Sequence, residues 1–488
     1  MQNKIDNSVE HIAAETPSRF SKVALAILNA CPRLIRRARI STIMARVSRG
    51  RSAAALADQI IVSGSNFAAS IVLVRGLGLS EFGKYSIAYA FLLYANVLQM
   101  SFVGSPMLSI APLMTGKEKR QFVDGMLTIQ MLASSLLFVT FATIGAASRI
   151  FTKFYSLPCV LIFACCVGTF QLQDWLRRYY FLYNKGNLAI VSDVLSYFVQ
   201  FVLLYVLWRI HHLTLLSTLV VMFVTSVAGT IMGPLTDHFH PAWGHLRETW
   251  AHSKSLSRDM LIANQVQWFG IQGVLLIGTS IVGSAAIGGL RATQYFAGPV
   301  NLVLNSIENV VPIRLAEELK VKGTAGAYKF IQRAILVGVV SLGLILVPLG
   351  LFGRPMLGFL YGPAMEAFYL PMLLQLSAIV VWIAGRLWFY LYRGVRDTRA
   401  LLRANALSAI VSLATVYFLG HLWQASGVVL ASLLGQMSIV VYCMFHWLCY
   451  RHELLLRFLP SSPVKVEAFP SESKREEVGM VFDRRAEW

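Results

Sequence analysis

Between Asp58 and Ser70 the chain reads DQIIVSGSNFAAS, and Gln59, Ser63, Asn66 and Ser70 follow at intervals of four, three and four. That spacing gathers them on one helix face, while Ile60, Ile61, Phe67, Ile71 and Val72 cover much of the rest. The same intervals return in Asn301, Asn305, Glu308 and Pro312. Shorter versions are Asp193, Ser196 and Gln200, then Gln171, Asp174 and Arg178, and the pair Gln265 and Gln272. Amides and hydroxyls both donate and accept hydrogen bonds, which is the chemistry that replaces water around a polyhydroxy ligand. Arg75, Arg291 and Arg386 lie in or at the ends of the same apolar stretches. Facing a cavity, they would offer an anionic ligand a fork that suits phosphate oxygens. At an interface, they would snorkel instead. Glu308 shares a face with Asn301 and Asn305 in a nearly uncharged helix, a setting in which a carboxylate can bind and release a proton or cation. Asp193 and Asp174 are the other coupling-ion candidates, although Asp174 has Arg177 and Arg178 at i+3 and i+4 and would pair locally.

What carries these stripes is a set of segments with hardly a charge. The 488 residues are 56% hydrophobic and 14% charged, against about 45–50% and about 25% in soluble domains. Twelve apolar runs, from 55–74 to 425–448, are long enough to cross a hydrocarbon core. The sequence therefore predicts an all-α polytopic membrane protein, and the absence of short alternating segments speaks against a barrel. The net charge of +19 follows from topology. With the N-terminus in the cytosol, only Arg75, Lys84, Arg149, Lys153, Arg209, Arg291 and Arg354 fall outside, and Arg386 lies within a helix. Every other Lys and Arg is inside, which sets both termini in the cytosol. The excess also attracts anionic membrane lipids, and nucleic acid is not an expected partner. Lys22 to Pro32 imitates a short export signal, but cleavage there would export Arg33, Arg36, Arg37 and Arg39 and invert this pattern.

The chain repeats itself at an offset of about 206, pairing Gln59 with Gln265, Asn66 with Gln272, Gly83 with Gly289, Pro106 with Pro312 and Tyr155 with Tyr361. We expect two pseudo-symmetric six-helix lobes, 51–233 and 257–450, joined by a cytosolic linker at 234–256 and flanked by cytosolic tails, 1–50 and 451–488. Parallel repeats of this kind place a transporter's substrate between the halves. The linker's His238, His240, His245 and His252 lack the Cys and carboxylate company of a metal site and read as solvated loop residues. The six Cys form no disulfide framework in the loops. A Walker ending is missing from GLGLSEFG, no hydrolase motif occurs, and the outer loops are too short for an extracytoplasmic domain. We expect no catalytic residues, no metal and no cofactor beyond an ion gradient, with H+ or Na+ left open.

A single stripe would be explained by hydrogen bonds between neighbouring helices. Stripes in both halves point instead to a wet central cavity. DQIIVSGSNFAASIVLVRGLGLSEFGKYSIAYAF resembles the opening of bacterial polysaccharide flippases. GLRATQYFAGPVNLVLNSIENVVP and FGRPMLGFLYGP are similar to their later helices, so that the resemblance covers roughly 52–450. It implies the polysaccharide transporter branch of the multidrug/oligosaccharidyl-lipid/polysaccharide flippase superfamily, which includes O-antigen and exopolysaccharide translocases of the cytoplasmic membrane. The implied substrate is a polyprenyl-pyrophosphate-linked oligosaccharide, carried between leaflets by alternating access. Other polysaccharide assembly proteins are implied partners. A small-molecule antiporter of the same superfamily stays open and would need a tighter cavity with carboxylates as its main charges. A membrane glycan polymerase or ligase is the third reading.

Overall fold

The computed structural model describes residues 51–148, 155–183, 185–237, 239–395 and 397–457. The expected tails, apart from 451–457, and His238 of the linker lie outside the described residues. Among those described, every regular element is helical. Among the described residues, nine helices are long and apolar enough to cross a bilayer. Two of them, Gln59–Leu113 and Arg399–Leu454, run to 55 and 56 residues, enough for two passes each. Their backbones break at Gly78 and at Trp423–Gln424, and similar breaks fall at Gly283 and Gly323.

Divided at these points, the chain gives α1 (51–77), α2 (79–113), α3 (Gly116–Ala147), α4 (Leu157–Leu182), α5 (Gly186–Arg209) and α6 (Leu215–Thr236). Then come α7 (246–282), α8 (284–322), α9 (324–361), α10 (Pro363–Gly394), α11 (398–422) and α12 (425–457). Helix α7 thus begins within the stretch 234–256. Bulky side chains point outward, with Leu136, Leu351 and Phe418 each about two-thirds or more exposed. That surface is stable only against lipid.

The repeat is written in the backbone. Positive φ occurs at Gly78 and Gly283, at Gly116 and Gly323, and at His211 and Gln424, each pair about two hundred residues apart. At the first pair the two halves cross. A Cβ at Gly83 would lie 1.8 Å from the Ser284 carbonyl oxygen, and one at Gly288 would lie 2.4 Å from that of Leu79. This reciprocity is that of a two-fold axis, and it pairs Gly83 with Gly288 rather than with Gly289. The hydroxyls of Ser80 and Ser284 meet in the same place at 3.4 Å. By the charge asymmetry this crossing is on the outer side.

One core, around Leu73, Phe82, Leu92 and Leu219, also takes in Leu357, Tyr361 and Met372 of the second half, and another, around Ile331, Leu387, Tyr392 and Cys443, lies within the second half. Helix α7 serves both halves. Its inner part lies on the first half, with Trp250 against Phe102, and with Asn264 Nδ2 donating to Ser101 Oγ at 3.0 Å. Farther along, Gly270, Gly273 and Gly278 face Ala409, Leu413 and Val428 of the second half at ordinary or closer contact. A π-turn, Phe269–Gly273, marks the change; such turns disrupt the regular i−4 ladder. Further π-turns occur at Met100–Gly104 in α2 and Val194–Phe198 in α5.

Candidate functional site

The stripe on α1 divides along its length. Gln59 Nε2 donates to Ser63 Oγ at 3.0 Å, inside its own helix. Asn66 is half-buried. Ser70 is buried, donates to the Phe67 carbonyl at 2.7 Å, and sits 2.8 Å from the Tyr361 hydroxyl of the other half. Tyr361 also donates to Ala292 O at 3.4 Å, as its repeat partner Tyr155 donates to Lys84 O at 2.8 Å.

Arg75 does not join Asn66 in a cavity. Helix α1 breaks only at Gly78, so nine residues place the two on nearly opposite faces. The Arg75 guanidinium reaches across the lobes: Nε donates to Leu360 O at 2.8 Å, and Nη2 donates to Phe359 O. These are last-turn carbonyls of α9, which lack intrahelical donors and attract positive charge. Arg75 therefore ties α1 to the end of α9. Removing such a charge is worth about 0.3–1 kcal/mol, or a roughly two- to fivefold change in population. Arg75→Ala is expected to raise outside labelling of a cysteine at buried Ala292 by about that factor, with Arg75→Lys intermediate because it reaches one carbonyl. Unchanged labelling in Arg75→Ala would remove the fastening role.

The larger polar space lies in the second half. A cleft of about 310 Å³ is lined by Gln272 of α7, Thr293 and Gln294 of α8, Gln375 and Trp382 of α10, and Gln436 of α12. A side cavity of about 30 Å³ shares Trp382 and Gln436 and adds Arg386, Asn405 and Ser408. Arg386 lies over the rings of Trp382 and Tyr390, 5.7 and 6.0 Å from their centroids. Gln375 is fixed, its amide donating to Leu290 O at 3.0 Å while its carbonyl accepts from Thr293 at 2.6 Å. A third, narrow space joins Gln272 and Thr279 to Arg291 and to Ser86 of α2. Arg291 lies 5.1 Å from the Tyr89 ring and donates to Gln294 at 2.7 Å. No carboxylate lines any of these spaces among the described residues; their charged groups are Arg386 and Arg291.

Of the expected site residues, the structure brings Gln272, Arg291 and Arg386 to these neighbouring spaces. Gln265 is one residue before Val266 of the side cavity, and its buried amide makes no hydrogen bond among the described residues. Asn301, Asn305 and Glu308 belong to helix α8, but their side chains lie outside the described residues. Sequence reasoning passed over Gln375, Trp382 and Gln436. A signal existed: Gln375, Ile379, Trp382 and Arg386 repeat the intervals of four, three and four.

The remaining acids are paired. Arg178 holds Asp174 through Nε at 2.7 Å and Nη2 at 3.2 Å, the i+4 contact expected. Arg177 crosses to Asp193 of α5 at 2.8 Å, and that carboxylate is fully buried. Elsewhere in the first half an apolar cavity of about 290 Å³ is lined by Phe91, Tyr94, Leu137, Phe141 and Phe163.

No family model and no curated protein sequence matches this chain. Solved structures do. The lipid II flippase MurJ, in an inward closed conformation, superposes with a TM-score of 0.61 at 14% identity, covering 84% of this chain and 90% of MurJ. An inward-facing multidrug resistance MATE family transporter of the MOP superfamily gives 0.64 at 11%, covering 82% and 95%. The Vibrio cholerae MATE transporter VcmN gives 0.54 at 12%, covering 82% and 94%. The chain is a helical, multi-pass membrane protein with the fold shared by these MOP-superfamily transporters. The structures it resembles are a flippase and transporters, not enzymes.

Proposed function

We propose that this protein flips a lipid-linked oligosaccharide, an undecaprenyl-pyrophosphate-linked repeat unit, across the bacterial cytoplasmic membrane during polysaccharide synthesis. The observation that carries this reading is the lining of the second-half spaces: several amides, an aromatic ring and arginines, with no carboxylate among the described residues. Amides exchange hydrogen bonds with sugar hydroxyls, and arginine suits pyrophosphate oxygens. An antiporter for cationic drugs would want acids in these positions. The resemblance to polysaccharide flippases and the MurJ-like fold support the same reading.

In this reading the lobes 51–233 and 257–450 alternate about the midplane, and the contacts of Ser70, Arg75 and Gly83 close the outer side in the state described. Glu308, Asp193 and Asp174 are the candidates for coupling to an ion. The test is purified protein in liposomes with a fluorescent lipid-linked saccharide extracted from the producing cells. Protein-dependent loss of the inner-leaflet signal is the expected result. Movement no faster than in empty liposomes, with or without a pH or Na+ gradient, would refute the proposal.

A further inference from the structure

Four helices bring amides to one cleft, and they are not equally satisfied; Gln294 already accepts from Arg291. Gln375 is fully engaged, as described above. Gln436, 7% exposed, and the buried Oε1 of Gln272 make no hydrogen bond with the described residues. Buried amides left without partners are costly unless water or a ligand completes them. Trp382 stands between the cleft and its side cavity and lines both. A cavity of about 310 Å³ is at the small end of ligand sites, which run roughly 300–1,000 Å³. That is room for one ring rather than a repeat unit.

We infer that this cleft is a subsite for a single sugar ring of the transported glycan, an assignment that rests on the flippase reading above. Trp382 supplies an apolar edge for the ring's C–H face. Gln272 and Gln436 take its hydroxyls, and Gln375 forms a rigid wall. The side cavity beside Arg386, Asn405 and Ser408 admits one small substituent, so the subsite reads which group that ring carries. Because Gln272 and Gln436 belong to different helices, the ring ties α7 to α12.

The experiment compares two probes in liposomes: fluorescent undecaprenyl pyrophosphate without sugar, and the sugar-bearing lipid extracted from the producing cells. Gln436→Leu and Trp382→Leu are expected to lower the rate ratio of sugar-bearing to sugar-free lipid about tenfold at low substrate, the value of one good hydrogen bond or stacking contact. Trp382→Phe keeps most of the ratio, because the ring is retained. A ratio unchanged in both leucine variants overturns the subsite, and so does an equal loss on both probes. Binding is read separately in detergent, from tryptophan quenching by methyl glycosides in the wild type minus that in Trp382→Phe. Saturable quenching that weakens about tenfold in Gln436→Leu supports the subsite even where the wild type moves neither lipid, an outcome that sinks the flippase reading alone. No quenching at saturating glycoside overturns the subsite.

Discussion

Joining Ser80→Cys to Ser284→Cys by oxidation, in a chain with its native cysteines replaced, is expected to stop lipid movement, and reduction is expected to restore it. The two hydroxyls, which stand where the sulfurs would be, are 3.4 Å apart across the lobes, and a disulfide brings its sulfurs to about 2.0 Å, so a small approach closes the bond. Around them the backbones already touch, Gly83 on Ser284 and Gly288 on Leu79, so the bond would fix an existing contact. If the outer side must open to release substrate, a covalent bond there blocks every cycle. Cleavage in the stretch 239–245 shows whether the link has formed, since linked halves stay together until reduced. Wild-type movement by fully linked protein would show that this face does not open in transport.

Arg177→Met is expected to cost stability on a scale that depletes the protein from the membrane. Asp193 is fully buried and lies 2.8 Å from Arg177, and removing one partner of a buried pair costs about 3–5 kcal/mol. The double variant Arg177→Met/Asp193→Leu should recover part of that loss, because no uncompensated charge remains. Thermal unfolding in detergent and membrane abundance together provide the measurement. A different pattern, normal abundance and unfolding temperature with transport abolished in Asp193→Asn, would move the pair from scaffold to ion coupling.

Much of the architecture was legible because lipid leaves few options: long apolar runs must be helices, and charge asymmetry orients them. The repeat was legible too, though its register at the crossing was not. Gly83 answers to Gly288, and one residue of slip is invisible when both Gly288 and Gly289 stand in the sequence. The site was legible only in outline. Stripes on α1 and α7 stood out because several polar residues share a face, whereas Gln436 is a lone amide in an apolar run. Nothing local tells that it lines one cleft with Gln272 and Gln375. Arg75 is the sharper case: its partners, Phe359 and Leu360, are 284 and 285 residues away. No periodicity reports a contact of that range.

In the flippase reading, the double allegiance of α7 makes this helix a transducer. It is held by Phe102 and Ser101 at one end and by Ala409, Leu413 and Val428 toward the other, so relative motion of the halves must be absorbed along its length. The irregular turn at Phe269–Gly273 is where the ladder is weakest, and Gln272 belongs to that turn. Occupancy and bending then share one set of atoms. By reciprocity, cargo that favours one bend of α7 binds more tightly, by the same factor, to protein held in that bend. No separate sensor is needed to tell a loaded carrier from an empty one.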